Sequence, residues 1–323
     1  MPLHRGTQCH TIGRSRHGPS PAGLPGTAHR REVWGMDNQV RVGVVGCGLM
    51  GAGIAEVCAR AGLDVRVSEN DAEGLARGRH RLETSLRRAV ERGKATEEAA
   101  EAALGRLTFT TELEDFADRQ LVVEAVAERE DLKTGIFARL DRVVQAPDAI
   151  LASNTSSIPI MKLGTATNRP EQVIGIHFFN PVPVLGLVEL VPSLLTSEAT
   201  ADRAEHIATA LLGKRVIRAR DRAGFVVNAL LIPYLLSAIR MMESGFAGAE
   251  DIDAGMVLGC AHPMGPLRLA DLVGLDTVRA AAEAMYEEFK EPLYSPPPLL
   301  LRMVDAGLLG DKSGRGFYDH AAV

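Results

Sequence analysis

Cysteine is scarce in this 323-residue chain: Cys9, Cys47, Cys58 and Cys260 are all there are. No two stand in a C-x-x-C relation, which argues against a structural zinc site, and four in so long a chain do not make a disulfide framework. No metal is expected, and the usage fits a reducing, cytoplasmic compartment. Tryptophan is nearly absent, with Trp34 the single one. Missing too is an apolar run of membrane-spanning length. The best candidate, residues 229–239, is short and carries Pro233 and Ser237, so no membrane association is expected. Charge of one sign is also lacking. The 36 basic and 41 acidic residues leave a net −5, which gives no electrostatic claim on nucleic acid or an anionic surface. What remains is ordinary globular material, 46% hydrophobic and 24% charged, long enough for two domains with cores of their own.

Residues 1–35 are a different material. They hold five arginines, one acid (Glu32), four prolines and six glycines, without apolar periodicity. That composition predicts a disordered extension. No apolar stretch marks a secretory signal. The Arg-rich, acid-poor character is that of a mitochondrial transit peptide, but the prolines and glycines work against the amphipathic helix such a peptide needs. The favoured reading is an upstream extension or a start that belongs at Met36, which opens directly onto the first strand. Trp34 then lies outside the core.

Residues 40–45 are a β-branched run leading into Gly46-Cys47-Gly48-Leu49-Met50-Gly51, a full G-x-G-x-x-G. An amphipathic stretch follows to Ala61, closed by Gly62, and a second strand at 63–68 ends at Glu69. Gly46 permits a tight turn, Gly48 lets the backbone approach a pyrophosphate, and Gly51 allows close helix–strand packing. The helix N-terminus, with Leu49 and Met50, then faces the phosphates. Strand, loop, helix, strand and terminal acid in this order make a strong dinucleotide signature. Glu69, 23 residues after Gly46, is placed to bind ribose hydroxyls. A carboxylate there repels a 2′-phosphate, so the cofactor expected is NAD rather than NADP. Cys47 reads as a small filler.

The pattern continues as α/β. Helices are expected at 72–92, 95–104 and 130–144, and strands at 107–109, 121–126, 149–153, 173–178 and 187–191. Such alternation implies a parallel sheet wound by helices. On the first of these helices Ser85, Arg88 and Arg92 share a face and could hold a phosphate-bearing ligand. A solvated charged face, with Glu83 and Glu91 interspersed, reads equally well from spacing alone.

Elimination leaves one histidine of nine in a position suited to catalysis. Four lie in the N-terminal segment, and His80, His206, His262 and His320 sit on polar faces, in a turn or near the C-terminus. His177, in IGIHFFNP, closes a hydrophobic strand, where a parallel sheet puts its chemistry. Glu189, twelve residues on, stands in the apolar run LVEL and needs a partner there. Paired with His177 it gives an oriented general base. A buried structural His–Glu pair fits the same residues.

At these residues the chain from Met36 onward resembles the L-3-hydroxyacyl-CoA dehydrogenase family, and within it the short bacterial 3-hydroxybutyryl-CoA dehydrogenases. The resemblance is carried by VGVVGCGLMGAGIA (42–55), ASNTSSIPI (152–160), GIHFFNPVP (175–183), GFVVN (224–228), HPMGPLRLADLVGLD (262–276) and GRGFYDH (314–320). It implies oxidation of a 3-hydroxyacyl-CoA to the 3-ketoacyl-CoA with NAD, in fatty acid β-oxidation or butanoate metabolism. His177 would take the C3 hydroxyl proton, Glu189 would orient it, and Ser156 and Asn228 would bind the substrate oxygen. The glycine loop, Glu69, Glu128, Lys133, Ser156, Asn180 and Lys312 would line the NAD site. Ser85 and Arg92 would contact CoA, with arginine where the family has lysine. The fold implied is a Rossmann-type doubly wound sheet at 36–220 followed by a smaller all-helical domain at 221–323, entered by a long helix at 224–242, through which the family forms homodimers.

Three departures bear on the substrate. Gly186 stands where the family often has lysine, Arg222-Ala223 replaces its usual Thr-Pro, and a Pro-rich stretch covers 294–298. Two other readings stay beside the leading one. A same-fold dehydrogenase acting on a non-CoA hydroxy acid, such as a sugar acid, is opposed by Arg88 and Arg92. A non-catalytic NAD-binding protein is opposed by the intact Ser156, His177, Glu189 and Asn228.

Overall fold

The computed structural model describes residues 40–320; the expectations for residues 1–35, Trp34 among them, lie outside the described residues. The chain enters on β1 (Arg41–Val45), whose β-branched residues are buried on both faces. Helix α1 (Leu49–Arg60) follows, then β2 (Asp64–Ser68), α2 (Ala72–Glu91), α3 (Glu97–Leu104) and β3 (Leu107–Thr110). Asp71 caps α2 by accepting the Gly74 N–H, and Thr96 does the same for α3 toward Ala99. The second half of the winding runs β4 (Leu121–Glu124), α4 (Glu130–Val143), β5 (Ile150–Ser153), α5 (Ile160–Thr165), β6 (Val173–Phe178), β7 (Leu187–Pro192), α6 (Glu198–His206) and β8 (Arg215–Arg218).

These strands form one sheet in the order β3-β2-β1-β4-β5-β6-β7-β8. Its order reverses beside β1, and nucleotide sites sit at such a switch point. Apolar clusters cover both faces. Leu82 and Leu86 of α2 close one with Ile54, Val65 and Val123. Phe116, Phe137 and Leu140 close the other with Val122 and Leu151. Each leucine or phenylalanine so buried stabilises the fold by about 1.5–3 kcal/mol.

The expected parallel sheet holds for β1 to β6 and needs correction at its end. β7 runs antiparallel to β6, and β8 pairs with β7 in parallel. The cause is the connection: residues 179–186 are too few for a crossover, which takes roughly a dozen or more. The reversal brings Glu189 into register opposite His177. β8, absent from the sequence reading, is an edge strand with arginine at both ends and no buried residue.

The remainder is helical: α7 (Val227–Glu243), α8 (Ala249–Cys260), α9 (Pro266–Val273), α10 (Leu275–Phe289) and α11 (Pro298–Asp305). They pack around Leu235, Leu236, Ile239, Leu267, Val278 and Met285. Helix α7 starts at Val227 and not at Gly224. Gly224 (φ +81°) and Phe225 (φ +46°) are both left-handed, and a right-handed helix begins only after them. Asp253 and Asp271, buried here, do capping and turn chemistry. Asp253 accepts the Leu267 and Arg268 N–H groups, and Asp271 those of Phe317 and Tyr318.

The joint between sheet and helices, residues 219–226, is tied to both sides. Asp221 accepts the Ile160 and Met161 N–H groups at the start of α5, both at 2.8 Å. The Ala223 N–H reaches Glu288 of α10 at 3.1 Å, and Arg222 stacks over the Phe289 ring at 4.8 Å. No described helix is long and apolar enough to cross a membrane.

Candidate active site

The turn between β1 and α1 shows what each glycine is for. Gly46 has φ +92° and donates its N–H to Ser68 O at 2.8 Å. A Cβ on Gly51 would lie 1.8 Å from Gly46 O, so helix and turn meet only because it is absent. Gly48 is different: a Cβ there would meet no atom within 4 Å, and its φ is negative. The protein alone has no need of glycine at 48. A pyrophosphate lying against the turn does, so the residues fit NAD, whose phosphates would meet the uncapped N-terminus of α1. Glu69 is held at the end of β2 by the N–H groups of Cys47 (2.7 Å) and Asn70 (3.1 Å). Gly46, Gly48, Glu69, Asn70 and Val126 line one cavity of about 660 Å³. Cys47 is buried against Gly78 of α2. Burial, and next Glu69, push its thiol up to about 12, so it fills space and is unreactive. Met50 is half-buried against the core and Leu49 is exposed.

Beside the turn lies a charged network. The buried Lys133 ammonium contacts Glu124 and Glu128, both at 2.9 Å. Glu124 also accepts from Ser153 Oγ (2.6 Å) and the Val126 N–H (2.7 Å). Glu128 accepts from Thr155 Oγ1, the Ser156 N–H (3.0 Å) and Ser157 Oγ (3.0 Å). Burial opposes the charged form of Glu128, but Lys133 and these hydrogen bonds outweigh it and hold the carboxyl below the usual glutamate range. The network fixes the Thr155-Ser156 backbone at the end of β5. Glu124, Ser153 and Thr155 were missed in the sequence. The available signal was a glutamate closing the apolar strand LVVE.

His177 closes β6 and is 7% exposed; Glu189 on β7 is fully buried. His177 Nδ1 lies 2.7 Å from Glu189 Oε2. The other carboxylate oxygen accepts the N–H groups of Val226 (3.0 Å) and Val227 (2.9 Å), where α7 begins. Phe179 and Phe225 set their rings edge-on to the imidazole at 4.6 and 5.5 Å. An ionised Glu189 accepts on both sides, which puts the imidazole proton on Nδ1 and leaves Nε2 as the free base. The Gly224 N–H bonds Ser156 O at 3.3 Å, joining the Ser156 loop to the segment that carries Asn228 in the first turn of α7.

A second groove, about 800 Å³, runs between α2 and the β6–β7 connection. Ser85, Arg88 and Arg92 line it together, with Arg81 and Lys94 adding charge, and Asn180 and Leu49 line it too. The charged helix face thus forms one side of a groove lined by several cations. Asn180 and Leu49, expected at the nucleotide, line this groove and not the cavity at the glycine turn. Lys312 is not brought to either cavity. It pairs with Asp276 at the start of α10.

Comparison with known proteins places the chain in a family. Residues 41–222 match the model of the 3-hydroxyacyl-CoA dehydrogenase NAD binding domain, and residues 224–320 that of the 3-hydroxyacyl-CoA dehydrogenase C-terminal domain. The chain belongs to the 3-hydroxyacyl-CoA dehydrogenase family. It is 65% identical over 280 residues to a 3-hydroxybutyryl-CoA dehydrogenase of Mycobacterium tuberculosis, covering 87% of this chain and 98% of that one. A crystal structure of an M. tuberculosis protein superposes with a TM-score of 0.86 at 65% identity, covering 86% and 98% of the two chains. The crystal structure of (S)-3-hydroxybutyryl-CoA dehydrogenase from Ralstonia eutropha gives 0.82 at 44% identity, covering 87% and 98%.

The family's members are oxidoreductases, and NAD is the cofactor that the N-terminal model describes. Of the two positions read in the sequence as departing from the family pattern beside the site, Arg222 stacks over the Phe289 ring. A side chain at Gly186 would have open space.

Proposed function

We propose that this chain catalyses the NAD-dependent interconversion of a 3-hydroxyacyl-CoA and its 3-ketoacyl-CoA, with the four-carbon 3-hydroxybutyryl-CoA as the preferred substrate. The observation that carries it is the buried His177–Glu189 pair, in a chain that also has a glycine turn of the dinucleotide type and a groove lined by arginines. NAD, bound on the turn of residues 46–51, supplies the hydride acceptor. His177 Nε2 takes the C3 hydroxyl proton. Glu189 keeps the imidazole in the tautomer that can accept it and stabilises the imidazolium that results. Ser156 and Asn228 hold the substrate oxygen, and the two phenylalanines keep water from the ring. Ser85 and Arg92 bind the phosphates of CoA. Glu69 takes the ribose hydroxyls, and Glu128, Lys133 and Asn180 line the nicotinamide side.

The division of labour follows the proposed domains, 36–220 for NAD and 221–323 for assembly. Leu230 (72%), Phe246 (79%) and Leu258 (84%) are exposed apolar residues on or beside α7 and α8, and they support a homodimer formed through the helical part. The chain is read as a cytoplasmic enzyme of β-oxidation or butanoate metabolism. Steady-state kinetics on acetoacetyl-CoA and longer 3-ketoacyl-CoAs, with NADH and with NADPH, test the assignment. Turnover of free hydroxy or keto acids at the rate of the thioesters would refute it.

A further inference from the structure

The β6–β7 connection, residues 179–186, has no regular structure, yet Asn180, Pro181, Val182, Pro183 and Val184 form one wall of the basic groove. Its own hydrogen bonds are few: the Val184 and Leu185 N–H groups both reach Pro181 O at 3.0 Å. Two outside contacts set its position. Val182, 2% exposed, packs against Gly53 of α1, where a Cβ would lie 2.9 Å from Val182 Cβ. From the other side comes Lys214, in the turn before β8. It is 8% exposed, and its ammonium donates to Val182 O and to Leu185 O, both at 2.7 Å. The next N–H, that of Arg215, bonds Gly186 O at 2.7 Å.

Among the described residues no carboxylate pairs with Lys214. Burial, and next the neighbouring Arg60 charge, depress it below the usual lysine range. An ammonium buried without a counter-ion is a costly way to staple a loop. Its position supplies the reason. The carbonyls that it binds belong to the connection that forms the groove wall, so both oxygens are engaged by a cation that is not itself among the groove-lining residues.

We propose that Lys214 is a positioning residue for acyl-CoA: it clamps the groove wall and withdraws the Val182 and Leu185 carbonyl oxygens from the nucleotide part of the substrate. The inference rests on the CoA reading of the groove. Lys214→Met keeps length and volume but has neither charge nor donor. KM for acetoacetyl-CoA is expected to rise about tenfold to 150-fold, the range for losing a charge-assisted hydrogen bond. KM for acetoacetyl-pantetheine, which lacks the nucleotide, KM for NADH and kcat are expected to stay at wild-type values. Amide hydrogen exchange in residues 181–186 is expected to quicken. If the methionine variant does not fold, Lys214→Gln, which keeps a neutral donor, is expected to give the same split at smaller size. Equal KM changes on the two thioesters, or none, would overturn the proposal even with a lowered Tm, since a plain staple gives that result. A wild-type enzyme with the same KM for both thioesters would instead overturn the CoA reading of the groove.

Discussion

His177 and Glu189 face each other in register across the one antiparallel pair that β6 makes, Nδ1 to Oε2 at 2.7 Å, and the second oxygen of Glu189 holds the first N–H groups of α7. One carboxylate thus does two jobs that substitution can separate. In Glu189→Gln the amide oxygen still accepts from Val226 and Val227, but the amide N–H₂ faces Nδ1 and drives the imidazole proton to Nε2. The variant is expected to fold with near-normal Tm and to lose about 10³–10⁴-fold in kcat, the size of a wrong-tautomer defect in hydrolytic triads. His177→Ala is expected to lose about 10²–10⁴-fold. The double variant should be little worse than His177→Ala, because Glu189 acts through the histidine. Glu189→Ala leaves the Val226 and Val227 N–H groups without their acceptor and should also destabilise the protein, by up to about 1–3 kcal/mol per group that water does not reach. Near-wild-type kcat in Glu189→Gln would make the carboxylate structural only.

The turn glycines separate folding from cofactor binding. Gly51→Ala places a methyl group against Gly46 O and should lower Tm and expression. Gly48→Ala meets no protein atom, so Tm should hold while KM for NAD rises. Thermal melts with and without NAD decide it. A Gly48→Ala variant that binds NAD normally would remove the pyrophosphate from this turn.

Glu69 is fixed by two backbone N–H groups, one on each oxygen, so a glutamine removes the charge and keeps one acceptor, for the shorter bond from the Cys47 N–H. Glu69→Gln should keep the turn intact and weaken NAD binding while relieving repulsion of a 2′-phosphate. The NAD/NADP preference in kcat/KM is expected to narrow by about tenfold or more, the scale of one charged hydrogen bond. A wild type that uses NADPH as well as NADH would contradict the role given to Glu69.

What could be read from the chain was whatever a single local rule enforces. The turn of residues 46–51 is such a case, because its glycines answer to backbone geometry. His177 and Glu189 are another, because a lone polar residue in an apolar strand must find a partner. The same logic applied to Glu124, in LVVE, would have exposed the Lys133 network, whose members stand on four separate segments and come together only in the folded sheet. The reversal of β7 was written in the length of residues 179–186, too short for any crossover. β8 carries almost no signal, because an edge strand capped by arginines buries little. The start of α7 depended on left-handed backbone at Phe225, which no side-chain pattern announces. The charged face of α2 became a groove only once the β6–β7 connection stood opposite it.

Arg92 ends α2 on the wall of that groove. A guanidinium–phosphate contact at a wet surface contributes about 0.5–3 kcal/mol. Arg92→Ala is therefore expected to raise KM for acyl-CoA with little effect on a pantetheine thioester. Equal effects on both substrates would place its action in folding.

Glu128 gives the structure an acid-sensitive element. Its carboxyl is held below the ordinary value of 4.5 despite burial, chiefly by Lys133 and by the donors around residues 155–157. With the folded pKa depressed, the unfolded chain binds the proton more readily, so the contribution is complete above about pH 4.5 and is lost as pH falls through the folded value. The side chain is 37% exposed, so solvent screens part of the effect. Glu128→Gln is expected to lower Tm by about 1–4 °C at pH 7, the scale for a screened pair in a domain of this size. The gap from wild type should close as pH falls below 4.5, because the wild-type carboxyl is then losing its charge too. Melts of both proteins from pH 3.5 to 8 test this. A gap that stays constant through the acid range would mean that the hydrogen bonds of Glu128, and not its charge, hold residues 155–157 in place.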